Sequence, residues 1–410
     1  NYVEVPTDCP QRDERMGYTG DGQVFALTGA YNFNTDAFWK NFLRDLELGQ
    51  LDNTEGYVCA TVPQTGPAGI GFISMLGWGN AVTILPEMMY RQFGDEEALP
   101  RQYESMKLFV EAEIRKMGKK NLWIGPSLGD WLAMGKGIAW QAMHNNPVSN
   151  AFIVHDLKVI SETAERLGKR EDAARYRRQL AATTDAYIKK FVSKNGIVAK
   201  DYQSAYIMAL KYVLPEGELR ERVKKNFVAN IRKNGLQTGF FATEHLLPLL
   251  VEAGEQKLAY DVLLQENCPG WMYQVKCGAT TTWERWDALK PDGTVNEEKM
   301  AGSGENMVSF NHYAFGSVGE FYYQYILGIR PEKPGFAKLH FAPYPDERLG
   351  GVSGSYLSVA GKIESAWRYE ADGCHIRLAT PVEAVVLLPD GRSENVPAGT
   401  YEWTVKRPNL

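Results

Sequence analysis

The amino-acid sequence predicts a mainly α-helical protein, in which an α/α toroid is followed by a small antiparallel β-sandwich. Three observations lead to this prediction. Amphipathic helical segments follow one another from residue 21 to about residue 328, long Gly- and Pro-rich loops interrupt them, and short β-type runs replace them after residue 330. We therefore expect a helical domain over 1–330 and a β-sandwich domain over 331–410.

Eleven segments place apolar residues at the helical period between residues suited to capping. In one of them Ser149 stands near the start, Ile153 and Leu157 share a face, and Gly168 follows the end. Eleven helices are one short of six pairs, so we expect a toroid that lacks its first helix. The predicted helices cover 21–31, 36–49, 78–93, 95–117, 148–167, 170–192, 203–213, 217–233, 240–253, 256–266 and 311–327.

Three loops are much longer than the usual connection between helices. They cover 51–77, 118–147 and 267–310; the last two hold six of the ten tryptophans, and the last is also rich in acidic residues. Loops of this length in a compact domain tend to carry function. We expect them at one end of the toroid.

The pattern changes to short strands after a boundary marked by Pro331 and Pro334. Turn pairs such as Asp372-Gly373 separate the runs, as in antiparallel hairpins. The predicted strands lie in AKLHFAPYP, SGSYLSVAGKIESAWRYE, CHIRLAT, EAVVLLP and GTYEWTVK.

Composition excludes several classes of protein. The chain has 410 residues, a net charge of −5 and 44% hydrophobic residues, which argues against disorder and against binding nucleic acid through backbone charge. No apolar run of membrane-spanning length is present. The five cysteines form neither a disulfide framework nor a CxxC zinc motif, which favours a reducing, cytoplasmic compartment over secretion.

The first cluster of reactive residues runs from Asp8 to Asp21 and packs four acids and two arginines into fourteen residues. Asp21 would suit the positive end of the helix that starts there. One interpretation is a capping and salt-bridge network. The other is a general acid, because a carboxylic acid desolvated by nearby aromatic rings can have a raised pKa.

The second cluster, Thr280 to Asp287, places Glu284 between Trp283 and Trp286 in a long loop. The tryptophans could be core anchors, with the glutamate paired to an arginine. They could instead stack on a sugar ring beside a carboxylate base. Two distant carboxylates that meet across a pocket form the arrangement that glycoside hydrolysis needs.

Together these motifs resemble the α-L-rhamnosidases of glycoside hydrolase family 78. The motifs occur in matching order over nearly the whole chain: VPTDCPQRDERMGYTGD, GWGNA, GDWL, GATTTWERWD and SFNHYAFGSVGEFYYQYILGIRPEKPGF. The resemblance implies an (α/α)6 barrel followed by a β-sandwich, and inverting hydrolysis of terminal α-L-rhamnosides. It implies no metal or organic cofactor.

The resemblance also implies roles for residues of this sequence. Glu14 matches the general acid and Glu284 the general base. Asp8 and Asp21 match acids that hold rhamnose hydroxyls, and the tryptophans form an apolar side near the methyl group of the sugar. The implied substrate-binding residues are Asp8, Arg12, Tyr18, Asp21, Trp78, Asp130, Trp131, Trp286 and His312.

The sequence departs from the family pattern at three places. Tyr18 stands where Trp is common, and Asn80 stands where Asp is frequent, so a charged role at residue 80 is in doubt. Family members usually carry a further helix before the VPTDCP segment.

Two alternative functions follow from the same residues. The missing helix is compatible with a carbohydrate-binding or inactive fragment. The helical fold also fits another (α/α)6 glycosidase or a polysaccharide lyase, although an acid-rich, Arg-poor pocket argues against an anionic substrate. We expect a rhamnoside as the ligand and neither nucleic acid nor membrane as a partner, and the sequence leaves a homo-oligomer open.

Overall fold

The computed structural model describes residues 1–2, 4–12, 15–53, 55–64, 76–144, 146–299 and 307–406. The chain divides into two compact units. The helical unit comprises Asn1–Phe25, Phe38–Leu85 and Leu99–Ser317, and the sheet unit comprises Ala26–Ala37, Pro86–Ala98 and Val318–Leu410. The predicted fold class, a helical barrel followed by a sheet domain, is confirmed.

Helices occupy most of the chain before residue 327. Helix α8 continues as a π-helical turn over Ala209–Val213, and α13 lies between a 3-10 turn at Ala314–Val318 and a π-helical turn at Tyr322–Ile326. The helices are α1 Thr19–Asn32, α2 Asp36–Leu51, α3 Ala81–Phe93, α4 Ala98–Met117, α5 Ile138–His144, α6 Asn146–Arg166, α7 Arg170–Phe191, α8 Gln203–Met208, α9 Glu218–Asn234, α10 Phe240–Glu252, α11 Gln256–Leu263, α12 Trp271–Lys276 and α13 Gly319–Phe321.

Burial alternates from one helix to the next in the helical unit. Almost every side chain from residue 147 to residue 164 of α6 is buried, whereas α7 buries only a stripe of four residues. The same contrast separates α8 from α9 and α10 from α11. A helix that is buried all round lies inside a domain, and one with a single apolar stripe lies outside it. These pairs are therefore inner and outer helices, as an α/α barrel requires.

The eleven predicted helices are all present, and most of their ends agree within three residues. Gly168 closes α6 as predicted, with a φ of +69° and with the amide of Lys169 bonded to the carbonyl of Ala164 at 2.9 Å. Helices α5 and α12 are not among the predicted segments. They have seven and six residues, which is too short for a helical period to stand out inside a long loop.

The sheet unit contains two four-stranded sheets, with strand orders β1-β2-β6-β7 and β3-β4-β5-β8. All pairings are antiparallel except that of β2 with β6, which is parallel. The rings of Phe341 and Trp403 stack between the sheets at 6.1 Å. The strands are β1 Ile329–Lys333, β2 Lys338–Phe341, β3 Gly351–Ser358, β4 Gly361–Glu370, β5 Gly373–Thr380, β6 Ala384–Leu387, β7 Ser393–Val396 and β8 Gly399–Val405.

The sequence did not predict strands β1 and β7. Both are edge strands: β1 contains Pro331, which an edge tolerates, and β7 has one buried residue and no alternating pattern. The predicted domain boundary at residue 330 stays a prediction. Among the described residues, no helix combines the length and apolar character that a membrane crossing requires.

Candidate active site

The two reactive clusters of the sequence meet through an ion pair between Arg12 and Glu284. The guanidinium donates from Nη1 to Oε1 at 3.1 Å and from Nη2 to Oε2 at 2.6 Å. The Glu284 side chain is 3% exposed and that of Arg12 is 21% exposed. A bidentate pair of this kind fixes the plane of the carboxylate as well as its position.

The backbone around Glu284 is held by a second segment, residues 309–312. The Glu284 amide donates to the Ser309 carbonyl at 2.9 Å, and the His312 amide donates to the Thr282 carbonyl at 2.9 Å. The Ser309 hydroxyl also accepts from the side-chain amide of Gln11 at 2.5 Å. Segments far apart in the chain are therefore joined at the glutamate.

Asp8 presents an unsatisfied carboxylate oxygen in the same region. The residue is 3% exposed, and among the described residues its Oδ1 has no hydrogen-bond partner. Burial raises the pKa of the Asp8 carboxyl, the charge of Asp21 raises it further, and the Cys9 amide and His312 oppose this rise. A buried oxygen without a partner costs free energy unless a ligand satisfies it.

His312 joins this group through Asp21, which lies in the first turn of α1. Its Nε2 lies 3.1 Å from Oδ1 of Asp21, and its Nδ1 accepts from the Ala314 amide at 3.2 Å. Burial lowers the pKa of His312, but the hydrogen bond to Asp21 and the charges of Asp21, Glu284 and Asp8 outweigh burial and raise it. Because the amide occupies Nδ1, the proton on Nε2 is the one that donates to Asp21.

Beside these residues stands an aromatic wall, formed by Trp78, Trp131 and Phe241. Trp78 packs edge to face against Trp131 at 6.2 Å and against Phe241 at 5.2 Å. Its ring lies directly on Gly20, where an added Cβ would come within 2.8 Å of the indole. Gly20 precedes Asp21, so the aromatic wall begins next to the acidic residues.

Trp286 is not part of the aromatic wall and packs against Phe315 instead. It is 1% exposed, stacks on Phe315 at 4.0 Å and donates its indole N–H to the Thr238 carbonyl at 2.8 Å. Trp283 is likewise buried. Both tryptophans thus pack among other buried side chains, and the predicted contact of Trp286 with substrate stays a prediction. Phe315 in turn contacts Phe240, which lies against the ring of His312.

Asp130 caps a helix. Its carboxylate accepts from the amides of Gly239 at 2.7 Å, Phe241 at 2.8 Å and Ala242 at 3.0 Å, at the start of α10. The residue is fully buried. Burial raises the pKa of its carboxyl, and the amides oppose that rise. Asp130 therefore holds the segment that carries Phe241, and its predicted contact with substrate stays a prediction.

Tyr18, another predicted residue, directly precedes α1. Tyr18 is half-buried and forms an isolated β-bridge with Thr61. Glu14, the predicted general acid, lies outside the described residues. Its role stays a prediction from the sequence.

The side chains of Asp8, Cys9 and His312 bring three ligand-type atoms within 4.8 Å of one another. Burial and the charges of Glu284 and Asp8 raise the pKa of the Cys9 thiol, so the sulfur stays protonated and is a poor metal ligand. Both ring nitrogens of His312 have partners. The chemistry of this set therefore does not favour a metal ion.

A buried acid pair that the sequence did not reveal lies behind Trp78. Asp156 of α6 accepts hydrogen bonds from the Asn80 amide and the Thr83 hydroxyl, and Glu113 of α4 lies 3.5 Å from the same amide. All four side chains are fully buried. Burial raises the pKa of Glu113 well above its ordinary value, and the charge of Asp156 and their hydrogen bond raise it further. Burial and the neighbouring acid therefore favour the protonated form of Glu113.

This protonation predicts how stability depends on pH. The folded state keeps the Glu113 proton that the unfolded state releases. The stabilisation of the fold by protonated Glu113 is therefore fully present below a pH of about 4.5 and is lost as the pH rises toward the folded-state pKa. Glu113→Gln mimics the protonated acid and removes this loss. We expect the variant to match wild type near pH 4.5 and to have the larger free energy of unfolding of the two near pH 8. Urea unfolding of both proteins at both pH values checks this. The prediction would be wrong if the difference in free energy of unfolding between variant and wild type were the same at the two pH values.

Comparison with known proteins identifies relatives of both units. A model described as the bacterial α-L-rhamnosidase six-hairpin glycosidase domain matches residues 1–326. A second, described as the bacterial α-L-rhamnosidase C-terminal domain, matches residues 328–401. Curated α-L-rhamnosidases of Alteromonas sp. (strain LOR) and Formosa agariphila are each 34% identical to the chain, over 93% and 98% of its length.

Solved structures agree with these matches. An α-L-rhamnosidase of Streptomyces avermitilis complexed with L-rhamnose superposes with a TM-score of 0.90 at 31% identity, over 99% of this chain and 40% of that one. The native α-L-rhamnosidase of Aspergillus terreus gives a TM-score of 0.91 at 30% identity, over 100% of this chain and 48% of that one. The chain spans 41% and 43% of the lengths of the Alteromonas and Formosa relatives.

Proposed function

The chain belongs to the bacterial α-L-rhamnosidases, and from this membership we propose that it is a glycoside hydrolase that releases terminal α-L-rhamnose from rhamnosides. We further propose an inverting mechanism with Glu284 as general base and Glu14 as general acid. The observation that carries the proposal is the buried Glu284 carboxylate, oriented by Arg12 and accompanied by acidic residues that can bind hydroxyl groups.

The base step follows from the chemistry of Glu284. A carboxylate oxygen takes a proton from a water molecule as the water oxygen attacks the anomeric carbon. Arg12 holds both oxygens, so one of its two hydrogen bonds must loosen when the carboxylate accepts the proton. The remaining bond keeps the side chain aimed at the water throughout the step.

The second proton transfer, from the general acid, allows the leaving group to depart. As the bond between the anomeric carbon and the glycosidic oxygen breaks, Glu14 gives its proton to that oxygen and the alcohol leaves. Since water attacks from the face opposite the leaving group, the product is β-L-rhamnose. Inverting glycosidases separate their two carboxyl groups by roughly 6.5–9.5 Å, which leaves room for the water.

Sugar recognition uses the remaining groups. Oδ1 of Asp8, which has no partner among the described residues, is a buried acceptor for a rhamnose hydroxyl, and Asp21 is held in place by His312. Trp131, the half-buried ring of the aromatic wall, offers an apolar surface for the C6 methyl group, and the buried rings of Trp78 and Phe241 support it. A site that combines acceptors for hydroxyl groups with an apolar side suits a 6-deoxy sugar.

The configuration of the first product tests the mechanism. With p-nitrophenyl α-L-rhamnoside and a large amount of enzyme, proton NMR in the first minutes should show the β anomer before mutarotation produces the α anomer. Initial α-L-rhamnose would contradict inversion while leaving rhamnosidase activity intact. No turnover, together with calorimetric binding of rhamnose, would instead favour a carbohydrate-binding protein.

A further inference from the structure

The buried acid pair is connected to the aromatic wall through Asn80. Asp156 receives the Asn80 side-chain N–H at one oxygen and the Thr83 hydroxyl at the other. On its opposite side, Oδ1 of Asn80 accepts the backbone N–H of Gly77 at 2.5 Å. Gly77 is the residue before Trp78, so two hydrogen bonds lead from helix α6 to the loop that carries the tryptophan.

The carboxylate determines which way the Asn80 amide points. Both carboxylate oxygens of Asp156 accept hydrogen bonds, and the Gly77 N–H can only donate, so the NH2 end of the Asn80 amide faces Asp156 and its oxygen faces Gly77. With a neutral partner at residue 156 that can both donate and accept, either orientation of the amide would be satisfied on that side, although only one orientation suits Gly77. The flipped amide would set its NH2 against the Gly77 N–H, and that contact would push the loop away.

The position of Gly77 matters because its backbone is closely confined. Its carbonyl accepts from Gln23 at 2.7 Å, and its φ of +103° lies in a region that side chains avoid. An added Cβ would meet the ring of Phe241 at 3.0 Å. With both its amide and its carbonyl held, the following residue is directed onto Gly20, where Trp78 packs.

We propose that Asp156 is a positioning residue for substrate binding, which acts through Asn80 and Gly77 to hold Trp78 against the start of α1. The proposal rests on the proposed function, since it takes the aromatic wall as the surface that meets the sugar. It also accounts for an asparagine at residue 80: an aspartate there would place a third carboxyl against Asp156 and Glu113.

Asp156→Asn tests this role because it keeps the shape and removes the acceptor-only character. We expect KM for p-nitrophenyl α-L-rhamnoside to rise about tenfold, the size of effect that loss of a hydrogen bond to a charged group produces. We expect kcat to stay within about threefold, because the wall binds substrate and transition state alike. A purely structural role would reduce the amount of active protein and leave KM unchanged.

The exchanged pair Asn80→Asp with Asp156→Asn provides the rescue. The carboxylate introduced at residue 80 would accept from the Gly77 amide at one oxygen and from the new amide of residue 156 at the other. Both hydrogen bonds are thus restored, with donor and acceptor exchanged between residues 80 and 156. We expect KM of the double variant to return to within about threefold of wild type. Asn80→Asp alone should have a raised KM, as Asp156→Asn has. Ser161→Ala is the matched control, since its buried hydroxyl donates to a carbonyl of its own helix, that of Lys158, at 2.8 Å.

Hydrogen exchange supplies a readout that does not depend on activity. The peptide covering residues 76–80 should exchange about tenfold faster in Asp156→Asn and at the wild-type rate in the double variant. Unchanged exchange and unchanged KM in folded Asp156→Asn would overturn the positioning role. Absence of rhamnoside turnover by wild type would overturn the proposed function, and the exchange rates would still decide whether Asp156 controls the loop.

Discussion

Glu284→Gln should lower kcat for rhamnoside hydrolysis by about a thousandfold, since a positioned general base contributes about 10²–10⁴-fold to a rate. The amide keeps the size of the side chain and one acceptor for Arg12, but it cannot take a proton from water. KM should change little because the proposed sugar contacts of Asp8 and Asp21 remain. Steady-state kinetics with p-nitrophenyl α-L-rhamnoside, on protein of verified Tm, gives both values.

Two further variants make this result specific. Glu111→Gln alters a carboxylate that also pairs with an arginine, Arg175 at 2.5 Å, but Glu111 lies on α4 and is not one of the proposed site residues, so the variant should keep wild-type kcat. Glu284→Ala with added azide should regain turnover and form β-L-rhamnosyl azide, because the anion attacks the anomeric carbon without a base. Wild-type kcat in Glu284→Gln would remove Glu284 from the mechanism.

Asp130→Ala should strongly destabilise the helical unit. It leaves three buried amides at the start of α10 without an acceptor. Unsatisfied buried groups cost about 1–3 kcal/mol each, so we expect a loss of about 4 kcal/mol. That loss corresponds to a fall in Tm of about 8 °C or more, measurable by differential scanning calorimetry.

Asp292→Ala is the matched control for this prediction. Its carboxylate also accepts a backbone amide, from Thr294 at 2.9 Å, but in an exposed turn where water can replace it. We expect its Tm to equal that of wild type. If the Tm of Asp130→Ala also equalled that of wild type, the amides at the start of α10 would have found other acceptors, and the capping role would be wrong.

Periodicity predicts the long helices because burial repeats along them. The stripe of α7 and the continuous burial of α6 both appear directly in the sequence as apolar spacing. The same pattern does not reveal α12, whose six residues give no full repeat, or β1, whose Pro331 reads as a break. Short elements depend on tertiary packing, which a local pattern does not contain.

The candidate site is predictable from the sequence only where reactive residues stand together in the chain. Glu284 stands out because tryptophans flank it, and the arginine partner of the packing interpretation is Arg12, 272 residues away. Asp156 and Glu113 do not stand out, because single acids within helices resemble ordinary solvent-exposed charges. Only the folded barrel brings them together beneath Asn80.

The bond between Arg12 and Glu284 also affects what a piece of this protein can do. Gln11 and Arg12 join the loop at Ser309 and Glu284, so the groups that would act on a sugar come from the two ends of the helical unit. Half of the unit, however well folded, would hold half of the site. Rhamnoside turnover should therefore appear only when the whole helical unit has folded. Helical content, in contrast, should increase as each segment folds.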